Sequence, residues 1–186
     1  MKKTLGCLAV SLFALALAGC AKGDGTAEKT VPSAAAKIAT AAEAKGADAW
    51  FPLTVGGREL RVQVVVTQDE QARGLMGRRD LGADDGMVFV YPFPQQMSFW
   101  MRNTPTPLDI GFFRPDGTLG EVYPMYPFDE TPVRSAAADY TLALEVNQGW
   151  FAKHGIRPGA TIDHAQLAAA LRARGFSPRR YAVREE

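Results

Sequence analysis

Six residues in the middle of this 186-residue chain have side chains able to do recognition chemistry: Arg73, Arg78, Trp100, Asn103, Thr104 and Asp109. A guanidinium binds a carboxylate through two parallel hydrogen bonds, so an Arg73–Asp109 pair is a natural arrangement. Asp109 interrupts the apolar run Leu108-Asp109-Ile110. A carboxylate placed there must find hydrogen-bond donors, from the 103–106 loop backbone or from an arginine, or else face a concavity. Along a strand Phe99 and Met101 share one face, which leaves Trp100 on the other. A half-exposed tryptophan can anchor a sugar or a partner, and one packed under a loop does neither. Asn103 and Thr104 are also ordinary turn residues.

The elements that must position these residues are short. Strands are expected over 50–55 and 60–66, joined by Gly56-Gly57. Thr67-Gln68-Asp69-Glu70 has the capping-box pattern, which starts a helix from 68 to about 75. Arg73 and Arg78 straddle its end, where the helix dipole favours a cation. Further strands are expected over 86–91, 97–101, 108–113, 118–123 and 140–146. Asn103-Thr104-Pro105 breaks the chain between two of them, and Pro115-Asp116-Gly117 turns a hairpin. The stretch 124–138 reads as a long excursion able to cover Trp100, 150–154 as one helical turn, and 165–174 as a last helix capped by Asp163. About seven short strands at roughly 8–12-residue spacing indicate a mainly β fold, a small single-domain β sandwich or barrel with two or three short helices. Folding 108–113 back beside 97–101 would then gather Trp100, Asn103 and Asp109 around a concave surface bordered by Arg73.

Enzyme templates fit poorly. His154 and His164 are the two histidines, with no carboxylate at metal-ligand spacing. Gly-x-Ser-x-Gly and a phosphate-cradling glycine loop are both missing. Asp84-Asp85 reads as an acidic turn or a hard-cation site. Glu121 or Asp129 could pair with Asp109 in a carboxylate enzyme. The leading expectation is a non-catalytic binding domain for a small polar ligand, a saccharide or a carboxylate-bearing molecule, or for an envelope partner. It needs no cofactor and no metal. The alternative is a hydrolase or lyase with Asp109 as general base.

Three stretches in register resemble the family named domain of unknown function 192. They are Arg73-Gly74-Leu75-Met76 with Arg78, Gly86-Met87-Val88-Phe89-Val90, and Ser98-Phe99-Trp100-Met101-Arg102-Asn103-Thr104 leading to Pro107-Leu108-Asp109. The resemblance runs over about residues 50–163 and includes Gly155-Ile156-Arg157-Pro158-Gly159. It implies a compact, mainly β fold, commonly secreted or membrane-tethered in bacteria, and no established activity. Gly77 departs from the pattern, standing where an aromatic residue is expected.

The N-terminus states an address. Lys2 and Lys3 precede an apolar stretch too short to span a bilayer, and Leu17-Ala18-Gly19-Cys20 follows. That is the pattern of a bacterial lipoprotein signal, read here as a signal peptide over 1–19 and a lipidated Cys20. Ala21 in the second mature position suits outer-membrane delivery, facing the periplasm, if the cell is Gram-negative. Residues 20–48 read as a disordered tether, because 21–48 hold no aromatic and too little apolar surface to offset ordering. A β domain over 49–165 and a C-terminal helix and tail over 166–186 complete the division. Cys7 leaves with the signal and Cys20 carries lipid, so no thiol remains for a disulfide or a nucleophile. Losing Lys2 and Lys3 leaves 19 of 21 basic residues against 20 acidic ones. That balance excludes the basic excess that nucleic acid demands, and the chain is read as a monomer held to the membrane through its lipid. Cys20→Ser is expected to move the protein from the membrane pellet to the soluble fraction, and unchanged partitioning would defeat this reading.

Overall fold

The computed structural model describes residues 43–184, so the signal segment, Cys20 and the tether up to residue 42 lie outside the described residues. Among those described, no helix is long and apolar enough to cross a membrane. Eight strands form a six-stranded mixed sheet and a separate two-stranded one. The chain is mainly β with three short helices, and its sheet does not close into a barrel.

Strands β1 (Trp50–Val55) and β2 (Arg58–Val65) form a hairpin across Gly56-Gly57. Helix α1 (Gln68–Arg73) carries the chain to β3 (Asp85–Gln95), which runs parallel to β2. The expected capping box starts that helix. Thr67 Oγ1 accepts the Glu70 N–H, and the Glu70 carboxylate accepts the Val66 and Thr67 amides at 2.9 and 3.1 Å. Strands β5 (Leu108–Phe113) and β6 (Leu119–Met125) form a second hairpin. Strand β8 (Tyr140–Asn147) then inserts between β3 and β5, giving the order β1-β2-β3-β8-β5-β6. Helices α2 (Trp150–Lys153) and α3 (His164–Ala173) follow, with Asp163 capping α3 through Gln166.

Both faces of the sheet are covered. Val88, Val90, Phe113, Leu144 and Val146 pack with Trp150, Phe151, Leu167 and Leu171 on one side. Met87, Phe89, Ile110, Phe112 and Ala143 pack with Leu75, Met97, Met101 and Met125 on the other. Arg174, buried at the end of α3, binds the Val64 and Lys45 carbonyls and the Glu70 carboxylate. Lys45 in turn donates its amide to Ala173, and the Asp48 carbonyl accepts from Gln63.

The segment 97–101 departs from expectation. Only β4 (Ser98–Phe99) is strand, and it pairs with β7 (Val133–Arg134) inside the 124–138 excursion rather than lying beside β5. Asn103 adopts a left-handed conformation (φ 54°), which turns the chain away. Of the two residues expected to share a face, Met101 is buried and Phe99 only half-buried, packed edge-on to Phe89 with centroids 4.9 Å apart. Phe112→Ala, in the closed core, is expected to cost about 3–5 kcal/mol in urea unfolding, and Phe99→Ala only about 1–3 kcal/mol.

Candidate functional site

Directly paired residues on adjacent strands point to the same face of a sheet. Asp109 pairs with Val146 across β5 and β8, whereas Glu145 pairs with Met87 on β3 and Ile110 on β5. The two carboxyl groups therefore lie on opposite faces. Asp109 shares the face of Val146 and Phe113, under α2. Glu145 shares the face of Met87, Phe89 and Phe112.

On the Glu145 face is a cleft of about 260 Å³. Glu145 lines it with Tyr91, Phe89, Phe99, Trp100, Thr104 and Arg73, beside the polar ends of Gln68, Gln71 and Ser98. Glu145 is 5% exposed and has no hydrogen-bond or ionic partner among the described residues. Burial alone pushes its carboxyl up to about 8, so the group is largely protonated at neutral pH. Tyr91 is pushed up to about 12, first by burial and then by the charge of Glu145. Arg73 is exposed at the rim and likewise has no ion-pair partner among the described residues. Trp100 is 47% exposed, with the Arg102 guanidinium 5.5 Å from its ring centroid.

The loops around the cleft are tied together. Gly77 N–H donates to the Asn103 carbonyl at 2.8 Å, and Thr106 Oγ1–H donates to the Arg78 carbonyl at 2.7 Å. Gly77 holds a φ of 75°, which glycine adopts more readily than the aromatic residue expected there. On the other side, the Met101 and Phe128 amides donate to the Asp129 and Thr104 carbonyls. The excursion thus lies along the 97–104 segment and leaves the Trp100 ring partly in solvent.

Of the residues singled out from sequence, Arg73, Trp100 and Thr104 are brought together here. Asn103 adjoins them mainly through its backbone. Arg78 sits half-buried at a neighbouring cleft of about 480 Å³, where it binds Asp80 and Gln63 and lies 5.9 Å from the Trp50 ring. The expected clustering of Asp109 with Trp100 does not occur, and no Arg73–Asp109 pair forms. The sheet separates them. Asp109, 7% exposed, accepts the Gly149 N–H at 2.9 Å rather than any donor of the 103–106 loop. Burial raises its pKa against that bond. It lines a hollow of about 310 Å³ with Val122, Phe151, Arg157 and Pro158, which adds no second carboxylate, histidine or nucleophile. Glu121 cannot pair with it, because its carboxylate accepts from the Tyr123 and Tyr140 hydroxyls and the Ala136 and Ala137 amides. Asp129 caps a turn at Thr131. Asp84 and Asp85 each hold an arginine, Arg58 and Arg61, and Asp84 also accepts the Trp150 indole N–H.

Glu145 is the candidate site residue that reasoning from sequence missed. Leu142, Leu144 and Val146 alternate on one face, so Glu145 reads as belonging to a solvated back face. With both faces covered, that back face is interior.

A carboxyl raised in the folded state binds its proton more tightly there than in the unfolded chain. The stability it contributes is therefore full below its ordinary value of 4.5 and is lost as pH rises towards about 8. Wild type is expected to lose roughly 2–4 kcal/mol relative to Glu145→Gln between pH 5 and pH 8. Parallel denaturation curves for the two proteins at both pH values would show Glu145 to be solvated or paired instead.

A model of the family DUF192, described as an uncharacterized ACR, matches residues 51–164. A crystal structure of a protein of unknown function from Novosphingobium aromaticivorans DSM 12444 is similar at 39% identity with a TM-score of 0.58, covering 61% of this chain and 84% of that one. A structure described as a candidate transcription regulator, from Sinorhizobium meliloti 1021, is similar at 28% identity with a TM-score of 0.59, covering 64% and 96%. No curated protein matches. The match spans most of the described domain and contains all three motifs that surround the Glu145 cleft, and on that ground the chain belongs to the DUF192 family.

Proposed function

We propose that this domain is a non-catalytic binding module that takes a small polar ligand in the Glu145 cleft, carried in the bacterial envelope on a lipid at Cys20. The observation that carries this reading is Glu145 itself. A buried polar residue normally has a hydrogen-bond partner within the protein, and the Glu145 oxygens, which are not fully enclosed, have only the cleft from which to draw one. Among the described residues neither Glu145 nor Arg73 has an ionic partner, and Glu145 opens on a cleft whose rim holds that arginine and a half-exposed tryptophan. A ligand would supply the missing partner and cover Trp100. The cleft is smaller than the roughly 300–1,000 Å³ typical of drug-sized ligands, which suits a single sugar, a small metabolite or one side chain.

The catalytic alternative finds less support. Asp109 is bound to Gly149 on the far face, with no second catalytic group in its hollow. The Glu145 cleft offers the Ser98, Thr104 and Tyr91 hydroxyls, but neither histidine lines it to activate them. A transcriptional role, suggested by the description of the Sinorhizobium protein, meets a near-neutral chain and a buried acid where a phosphate backbone would call for bases.

Thermal unfolding of the full protein across envelope sugars, short peptides, amino acids and amines tests the reading. A ligand at a hundred times its Kd adds about 2.7 kcal/mol, or roughly 5–10 °C in Tm for a domain of this size. Trp100→Ala is expected to abolish that shift while changing stability without ligand by less than about 1 kcal/mol. Asp109→Asn, on the opposite face, should leave the shift in place. If no compound raises Tm at millimolar concentration, the cleft is not a small-molecule site.

A further inference from the structure

Resting on that reading of the cleft, we infer that its ligand carries an organic cation, a primary ammonium that pairs with Glu145 among the aromatic residues of the wall. The lining is selective in composition. Phe89, Tyr91, Phe99 and Trp100 contribute four aromatic rings, and Leu75 and Met76 add apolar surface. Aromatic faces attract a cation electrostatically, and more strongly when it is desolvated. Removing an ammonium from water is unfavourable unless an opposite charge awaits it, and Glu145 is the one acid lining the cleft. A carboxylate at that depth would meet an acid rather than a base. A neutral hydroxyl would satisfy Glu145 but would gain little from the rings.

Arg73 sets the orientation. Its guanidinium stands at the rim with no ionic partner among the described residues, so a second positive charge on the ligand is repelled there and a carbonyl or carboxylate is welcome. The ammonium therefore enters first, and the polar remainder of the ligand faces Arg73. A free amine and the side chain of a lysine in a polypeptide share this chemistry.

Binding is coupled to a proton. The neutral acid and the ammonium combine to give a carboxylate–ammonium pair, and the displaced proton leaves to solvent. The charged or titratable groups facing Glu145 are Tyr91 from β3 and Arg73 from α1, and β5 presents Ile110. Tyr91, pushed up to about 12, stays neutral between pH 6 and 8, so the coupling belongs to Glu145. With its carboxyl near 8, affinity for an ammonium should rise about 50-fold from pH 6 to pH 8.

The test is calorimetric titration and amide NMR of the full chain with butylammonium chloride, Nα-acetyl-lysine amide and 1-butanol. Both cationic probes are expected to shift the amide signals of Tyr91, Trp100 and Thr104 and to bind more tightly at pH 8. Butanol should leave those signals in place, and Glu145→Gln should lose the cations while remaining folded. Tighter binding of the acetyl-lysine amide supports a polypeptide lysine as the natural source, and equal binding supports a free amine. Butanol binding as well as butylammonium, or cation affinity that falls with pH, overturns the inference and leaves the cleft as a site for neutral ligands. Cations that fail while another compound raises Tm through Trp100 also overturn it without touching the proposed function. A cleft that no compound occupies removes both.

Discussion

The structure depends on the position of β8, the last large strand in the chain, at the centre of the sheet between β3 and β5. A central strand has no free edge, and here neither of its faces is free either. Its residues from Tyr140 to Val146 are all buried, and the chain must therefore place Glu145 in the interior. The same insertion demands close backbone approach. A Cβ on Gly86 would sit 2.6 Å from the Glu145 carbonyl oxygen, so the glycine that opens the second family motif is what lets β3 reach β8 at the level of the acid. On one side the sheet is closed by α2 and α3, with Arg174 clamping the end of α3 to β2, to the Glu70 cap and to Lys45. On the other it is closed by α1 and the paired 97–104 and 124–138 segments, and the cleft is the gap those pieces leave over Glu145.

How far this was legible from sequence varies with the kind of signal. Local chemistry transferred well. The strands at Trp50–Val55 and Leu108–Phe113, the Thr67–Glu70 capping box and the Asp163 cap appear where turn residues and caps put them. Pro92 does not end β3, because the register with β8 is interrupted between Val90 and Gln95, where a residue without an amide N–H does no harm. Long-range pairing did not transfer. Placing Asp109 beside Trp100 required β5 to lie against 97–101, and parity along one strand then fixed both side chains. Once β4 pairs with β7 instead, parity on one strand says nothing about the other. Asp109 falls on the opposite face.

Glu145 was missed for a related reason. Alternation of apolar and polar residues signals one buried face, and it is silent on whether a second layer covers the polar one. Nothing local marks that layer, because α1 buries no residue of its own and β4 is two residues long. The cover comes from Leu75, Met97, Met101 and Met125, contributed by loops and strand ends whose hydrophobic periodicity is weak. Arg73 and Trp100 were singled out for what a guanidinium and a half-exposed indole can bind. An acid in a good strand looks like ordinary surface.

The two acids of the central strands form an internal comparison. Asp109 and Glu145 are similarly buried, 7% and 5% exposed, and lie on neighbouring strands. Asp109 is held by the Gly149 amide just ahead of α2, and that hydrogen bond partly offsets its desolvation. Glu145 completes nothing. A glutamine or a leucine would fill its volume without penalty from an unpaired acid, and removing an unpartnered buried acid commonly stabilises a protein. The acid faces the aromatic and arginine side of the sheet rather than the helical side, and within the fold only the cleft is open to its carboxyl.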